Sequence, residues 1–302
     1  MEGILPLYKP KGMTSHDCVF KLRKMLRTKK VGHTGTLDPD VTGVLPICIG
    51  RATKVAEYIT EAGKSYEGEV TIGYSTTTED AGGDVVEKKK VVKAFSREEI
   101  LNVLRKLTGE IQQTPPMYSA VKVNGKKLYE YARSGIQVDR PTRTVTIYRI
   151  DLLDDRDVFS GEEIKFRFRV SCSKGTYIRT LAVMIGEELG YPAHMSELSR
   201  IQSASFKLED CFTFENIEEM IEKGTIMEAL KPIEDGLLNL PKYKISDKLI
   251  EKVKNGAVLQ MPDELEDVGP FVMEAPDETA LAIYEAHPNK PGLMKPVKVL
   301  RN

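Results

Sequence analysis

The run Gly32-His33-Thr34-Gly35-Thr36-Leu37-Asp38-Pro39 sets a carboxylate and an imidazole in a segment punctuated by glycine and proline. Glycine lets a backbone approach a ligand closely, and proline restricts both its own φ and the residue before it. A carboxylate constrained in this way can serve as general acid or base, or as a nucleophile. A phosphate-cradling loop is the obvious competitor. It requires Gly-Lys followed by Ser or Thr, and Thr42-Gly43 is not equivalent. Residue types alone also leave a purely structural turn open, with His33 satisfied inside it. Two further residues could take part in chemistry. Tyr66 lies in an alternating run, where an aromatic reads equally as core or as a stacking surface. Arg179 follows the sharp turn at Lys174-Gly175 and reads either as a surface cation or as a partner for a carboxylate.

These residues need a scaffold. Thr14 and Asp17 have capping-box spacing, and Val19, Leu22, Met25 and Leu26 recur with helical period, predicting a helix over 15–27. Gly32, Gly35, Pro39, Gly43 and Pro46 predict one long loop over 31–50. Tyr66, Val70 and Ile72 alternate with Glu67, Glu69 and Thr71, which reads as a half-buried strand over 66–73. Ser96 and Glu99 cap a second helix running to Leu107. Residues 112–143, with Pro115-Pro116 and Asn124-Gly125, read as an extended, mobile insertion. Strands are expected at 143–150 and 163–171, and a helix at 177–189 stopped by Gly190 and Pro192. Acidic helices are expected up to Asp235. Leu240-Pro241 marks a boundary, followed by a short helix over 246–255 and short strands near 257–260, 270–274, 279–285 and 296–300. Strands and helices are interspersed without strict βαβ alternation. The fold class is therefore α+β: a mixed, mainly antiparallel sheet with flanking helices, then a small β-rich module.

The totals set bounds. The 302 residues are 41% hydrophobic and 29% charged, an ordinary globular balance for one large domain and a small one. The four cysteines form no CxxC pair, which argues for reduced thiols and against a zinc ribbon or disulfide framework. No signal peptide or membrane-length apolar run is present, so a soluble cytoplasmic protein is expected. The net charge of −1 hides an uneven distribution. Residues 9–30 carry eight basic groups against Asp17, and residues 122–149 carry seven against Glu130 and Asp139. Eight acids with no Lys or Arg over 262–287 restore the balance. Such basic runs are either solvated surface or a grip for a phosphate backbone.

Val31-Gly-His-Thr-Gly-Thr-Leu-Asp-Pro-Asp-Val-Thr-Gly43 resembles the catalytic motif of the TruB family of tRNA pseudouridine-55 synthases. Tyr8-Lys-Pro-Lys-Gly-Met-Thr-Ser15 resembles that family's N-terminal motif. Lys64-Ser-Tyr66, leading to Ile72-Gly73 and the stretch from Thr76 to Asp80, resembles its second strand motif. Gly175-Thr-Tyr-Ile-Arg-Thr-Leu181 resembles its arginine motif, and the stretch from His194 to Arg200 its leucine segment. The five blocks occur in family order between residues 8 and 200. The C-terminal piece resembles the PUA-type RNA-binding module. The resemblance implies a pseudouridine synthase fold over 1–239 with an RNA-gripping insertion at about 112–143, and a PUA-like domain over 240–302. It implies isomerisation of the T-loop uridine at position 55 of tRNA, with Asp38 as the catalytic aspartate and Arg179 paired with it. Tyr66 would stack on the uracil and His33 would occupy the space the base vacates. Lys9 would brace the loop at the RNA-binding surface, Tyr177 would contact the RNA, and Leu198 would line the base pocket. No metal and no organic cofactor are implied. The partner is the tRNA T-arm, with no membrane, no obligate protein partner and a monomeric enzyme.

Overall fold

The computed structural model describes residues 1–301, which divide into two compact units. Met1–Pro39, Gly43–Ala62 and the chain from Ser203 onward form the first. Asp40–Thr42 and Gly63–Gln202 form the second. The chain is mixed α+β and its sheets are mainly antiparallel, as the interspersed strand and helix patterns predict.

In the first unit, strand Gly3–Lys9 pairs antiparallel with strand Thr42–Ile49, and Val31–His33 pairs with the latter. This corrects the expectation of one long loop over 31–50: only the stretch between these strands is loop. Proline misled the reading, for a physical reason. Pro6 and Pro46 sit opposite each other. Each turns its carbonyl away from the shared ladder, Pro6 accepting from Phe212 N at 2.9 Å and Pro46 from Thr34 N at 3.1 Å. The missing N–H groups therefore cost no cross-strand bond. Helix Ser15–Met25 starts with the expected capping box, Thr14 and Asp17 bonding each other's backbone N–H. Its Cys18, Val19 and Leu22 pack against Leu5, Leu7, Leu45, Ile47 and Phe214.

After Ser203 the expected run of acidic helices reduces to one, Phe214–Glu222, followed by two short 3-10 turns. A five-stranded sheet follows. Lys242–Lys244, unforeseen in the sequence, lies parallel to Phe271–Glu274, and Ala280–Ala286, Leu293–Val299 and Leu259–Gln260 complete it. Helix Asp247–Lys254 lies within this segment. Val272, Ala280, Ile283 and Leu300 share one apolar cluster with Ile4, Val44, Cys48 and Ile59. Lys54 Nζ donates to Val299 O at 2.6 Å, and Arg301 pairs with Glu234 at 2.8 Å.

In the second unit the strand order is Ala193–Ser203, Lys64–Ile72, Ile164–Cys172, Arg143–Leu152, Gly109–Gln113. Alternation sorts the faces. Phe166, Phe168 and Val170 are buried opposite Val70, Gly68 and Tyr66. On the other face Glu67 meets Arg169 at 2.6 Å and Arg167 at 3.6 Å, and Glu69 meets Lys165 at 3.6 Å. Helix Arg97–Lys106 carries the Ser96/Glu99 capping box, and helix Ile178–Leu189 ends on Gly190 in the left-handed region. Residues 112–143 are more regular than the extended insertion expected. Asn124 and Gly125, both at positive φ, turn a hairpin between Lys122–Val123 and Lys126–Lys127. A short helix, Leu128–Arg133, follows with Leu128 buried.

Cys18, Cys48 and Cys172 are buried free thiols, and burial pushes the Cys48 thiol up to about 12 and Cys172 to about 11. No helix is long and apolar enough to cross a membrane among the described residues. Because Ile283 is fully buried in the cluster shared with Ile4 and Val44, Ile283→Ala should cost about 2–5 kcal/mol in urea unfolding. The loss should appear in the transition of the whole first unit, not of an isolated C-terminal piece.

Candidate active site

The carboxylate of Asp38 stands on a loop whose backbone is held from below. Leu37 N donates to Ser15 Oγ at 2.8 Å, and Ser15 Oγ lies 3.2 Å from Leu37 O. Ser15 is the first residue of its helix and is 1% exposed. On the other side of Asp38, Pro39 O accepts from Gly12 N at 2.9 Å and from Lys9 Nζ at 3.0 Å. Lys9 is fully buried and also donates to Pro10 O at 2.9 Å. This ammonium is a brace under the loop and lies out of reach of a phosphate. Thr34 closes the loop's entry through N and Oγ1, each 3.1 Å from Pro46 O. Leu37 is buried, while Asp38 between these anchors stays partly exposed. His33 ends the short strand that feeds the loop and is half-buried.

Tyr66, Tyr177, Arg179 and Leu198 belong to the second unit. Tyr66 occupies strand Lys64–Ile72 with 8% of its surface exposed. Two residues along the same face, Gly68 makes room for Leu198: a Cβ there would lie 3.1 Å from Leu198 Cδ1. Tyr177 caps helix Ile178–Leu189. The buried Gln113 grips the cap backbone twice, accepting from Tyr177 N at 3.0 Å and donating to Tyr177 O at 3.2 Å.

Arg179, in the first turn of that helix, is 6% exposed. Its Nη1 donates to Thr78 O at 3.0 Å and lies 3.5 Å from Asp80 Oδ2, and its Nη2 donates to Tyr118 O at 2.9 Å. The guanidinium fork is thus oriented by two carbonyls as well as the Asp80 carboxylate, which together fix its plane. Loop 77–84, which supplies Thr78 and Asp80, folds tightly on itself. Thr76 Oγ1 donates to Asp80 O and Thr78 Oγ1 to Asp80 Oδ1, both at 2.6 Å. A Cβ at Gly83 would fall 2.4 Å from Thr78 Oγ1, so only glycine fits there.

The TruB family pseudouridylate synthase (N terminal domain) model matches residues 23–178, and the tRNA pseudouridylate synthase B C-terminal domain model matches 179–238. The chain is 61% identical over 302 residues to tRNA pseudouridine synthase B of Geobacillus thermodenitrificans, covering both chains fully. It is 61% identical over 303 residues to the Bacillus cereus protein of that name, covering all of this chain and 98% of that one. The chain belongs to the TruB family. Membership makes it a tRNA pseudouridine synthase, an isomerase acting on RNA. Among solved structures it resembles a chain of a Cbf5-Nop10-Gar1 complex, with TM-score 0.73 and 29% identity over 99% of this chain and 84% of that one. A chain of an H/ACA RNP bound to a substrate RNA containing 2′-deoxyuridine matches with TM-score 0.73 and 26% identity, over 99% and 85%.

Ser15, Gln113 and Thr78 were not singled out from sequence. Ser15 closes the motif that runs from Tyr8, so its position carried a signal. Thr78 likewise lies within the stretch from Thr76 to Asp80, while Gln113 carried no signal. Ser15→Ala should leave Leu37 N buried without an acceptor, costing about 1–3 kcal/mol of stability. A looser Asp38 loop should also lower turnover on tRNA by about tenfold, roughly 1.4 kcal/mol in the barrier. Urea unfolding and single-turnover kinetics check the two effects.

Proposed function

We propose that the chain isomerises the T-loop uridine at position 55 of tRNA, with Asp38 as the catalytic carboxylate. The observation that carries this reading is the loop itself: a partly exposed carboxylate between two backbone anchors, Ser15 on one side and Lys9 on the other. A group held this way loses little entropy on reaching a reactive pose. The reaction breaks the bond from ribose C1′ to uracil N1, turns the base and joins C1′ to C5. The C5 proton leaves and N1 gains one, so substrate and product have the same atoms, and the stoichiometry calls for no cofactor. Whether Asp38 engages the base or the sugar, it does so as an ionised carboxylate, and Arg179 supplies the cation that favours that form.

The target base must leave its stack, at a cost of a few kcal/mol. Tyr66 gives the everted uracil a face to stack on, Leu198 walls the pocket, and His33 fills the space the base leaves. Tyr177 contacts the RNA beside Arg179. Affinity comes from phosphate contacts and shape. Lys21, Lys24, Arg27, Lys29 and Lys30 are exposed along and just after the first helix, as are Lys122, Lys126 and Arg133 in the insertion. The insertion 112–143 is mobile without RNA and closes on the T-arm when bound. Residues 1–239 act as the catalytic domain and 240–302 as a PUA-like RNA-binding domain. The enzyme works in the cytoplasm as a monomer, without guide RNA or protein partner.

The test is incubation of the purified chain alone with unmodified tRNA transcript, followed by mapping of pseudouridine. Modification at position 55 is expected; modification elsewhere, or a requirement for an added guide, refutes the reading. Asp38→Asn should abolish turnover while tRNA affinity stays within about tenfold, roughly 1.4 kcal/mol. Lys29→Ala with Lys30→Ala should weaken binding and reduce the slope of log affinity against log salt by about 1–2. An unchanged slope in titrations over several salt concentrations would contradict the phosphate grip at these positions.

A further inference from the structure

Glu79 lies in loop 77–84 at φ 63, a left-handed conformation unfavourable for a side chain of this kind. Strain of this type persists only where surrounding contacts over-determine the backbone. The contacts are present. Thr180 Oγ1 donates to Glu79 Oε2 at 2.7 Å, and Met195 N donates to Glu79 O at 3.0 Å. Thr180 is the neighbour of Arg179 on the first turn of its helix, while Thr78 and Asp80, flanking Glu79, both engage the Arg179 guanidinium. The same corner reaches the insertion. Tyr118 O, on its first leg, accepts from Arg179, and the Arg140 charge, on its second leg, acts on the Glu79 carboxyl. Arg140 Nη1 joins the two legs by donating to Pro115 O at 3.0 Å.

We propose that Glu79 is a positioning residue: by accepting from Thr180 it locks the first turn of helix Ile178–Leu189 onto loop 77–84 and so fixes where the Arg179 guanidinium stands. The inference rests on Arg179 being part of the catalytic site. Loss of the Thr180 bond frees the helix turn from the loop. Arg179 then keeps its charge and loses its register against Thr78 O and Asp80. Burial pushes the Glu79 carboxyl above the ordinary carboxylate range, outweighing the Thr180 bond and the Arg179 charge. That balance fits a group retained as a hydrogen-bond acceptor more than as a counter-ion.

The test compares the full-length wild type with Glu79→Gly, Glu79→Gln, Thr180→Val and Arg179→Ala, measuring kcat, KM, tRNA affinity and thermal midpoint. Glu79→Gly relieves the backbone conformation, so its midpoint should match or exceed the wild type while kcat falls by about tenfold or more and tRNA affinity stays within about threefold. Glu79→Gln presents an amide oxygen to Thr180 and should keep kcat within about threefold of wild type. Thr180→Val should reproduce the kcat loss, and the Glu79→Gly, Thr180→Val double variant should be no worse than the more impaired single one. Wild-type kcat in Glu79→Gly, equal impairment in Glu79→Gln, or a loss confined to KM overturns the proposal. Should Glu79→Gly fail to fold, Thr180→Val against Glu79→Gln makes the same comparison. Arg179→Ala separates the two levels: full turnover there sinks the reading of the site, whereas a dead Arg179→Ala beside a wild-type Glu79→Gly sinks only the role of Glu79.

Discussion

An ammonium taken out of water must be given oxygen ligands, and at Lys9 backbone carbonyls supply two of them. One of those carbonyls belongs to Pro39, immediately after Asp38, so the requirement to satisfy a buried charge becomes a constraint on the Asp38 loop. The constraint is reciprocal. Were the loop to lift, Lys9 would lose a partner inside a dry interior, a far larger penalty than the loss of an exposed hydrogen bond. Ser15 applies the same logic to the other side of Asp38, where donor and acceptor of one hydroxyl both point at Leu37. The first two motifs of the chain therefore form one mechanical object, a loop and its clamp. The clamp residues hold backbone on both sides of Asp38.

The second unit solves a different problem by a related device. Arginine is always charged, so what has to be controlled is the direction of its fork. Carbonyls do this well: they accept firmly and carry no formal charge that would cancel the guanidinium. Thr78 O and Tyr118 O take this role, and Asp80 adds a longer, partly exposed contact. A loop that presents a carbonyl and a carboxylate to one guanidinium must turn sharply, which accounts for Gly83 packed against Thr78 and for the left-handed backbone at Glu79.

Local order was readable from the residues. Thr14/Asp17 and Ser96/Glu99 announced two helix starts because a capping box spans only three residues, and the alternation of 163–171 announced a strand whose two faces differ in chemistry. The misreadings arose where distant partners override local signals. Pro46 reads as a breaker until Pro6 is seen opposite it, 40 residues away in sequence and with both carbonyls turned outward. The site follows the same rule. Asp38, Tyr66 and Arg179 could be picked out because their motifs carry them, but the bonds that orient the site join residues 22, 64 and 101 apart: Ser15 to Leu37, Gln113 to Tyr177, Thr78 to Arg179. No periodicity or propensity encodes such pairs.

Charge shows the limit most clearly. A count of basic residues treats them as equivalent, yet the fold assigns them different work. Arg167, Arg169 and Lys165 are matched across strands by Glu67 and Glu69. Lys9 is buried and Arg23 donates to Val31 O. Arg140 ties the legs of the insertion together. Lys21 and Lys24 of the first helix, Arg27 just after it, and Lys122 and Lys126 of the insertion hairpin, by contrast, are exposed to solvent. This selection has a physical consequence for an enzyme of near-zero net charge. Long-range attraction to RNA is weak, so productive binding relies on local phosphate contacts, whose strength falls steeply with salt. With net charge near zero, a preferred orientation toward a polyanion depends on how exposed cations are distributed over the surface and not on their total.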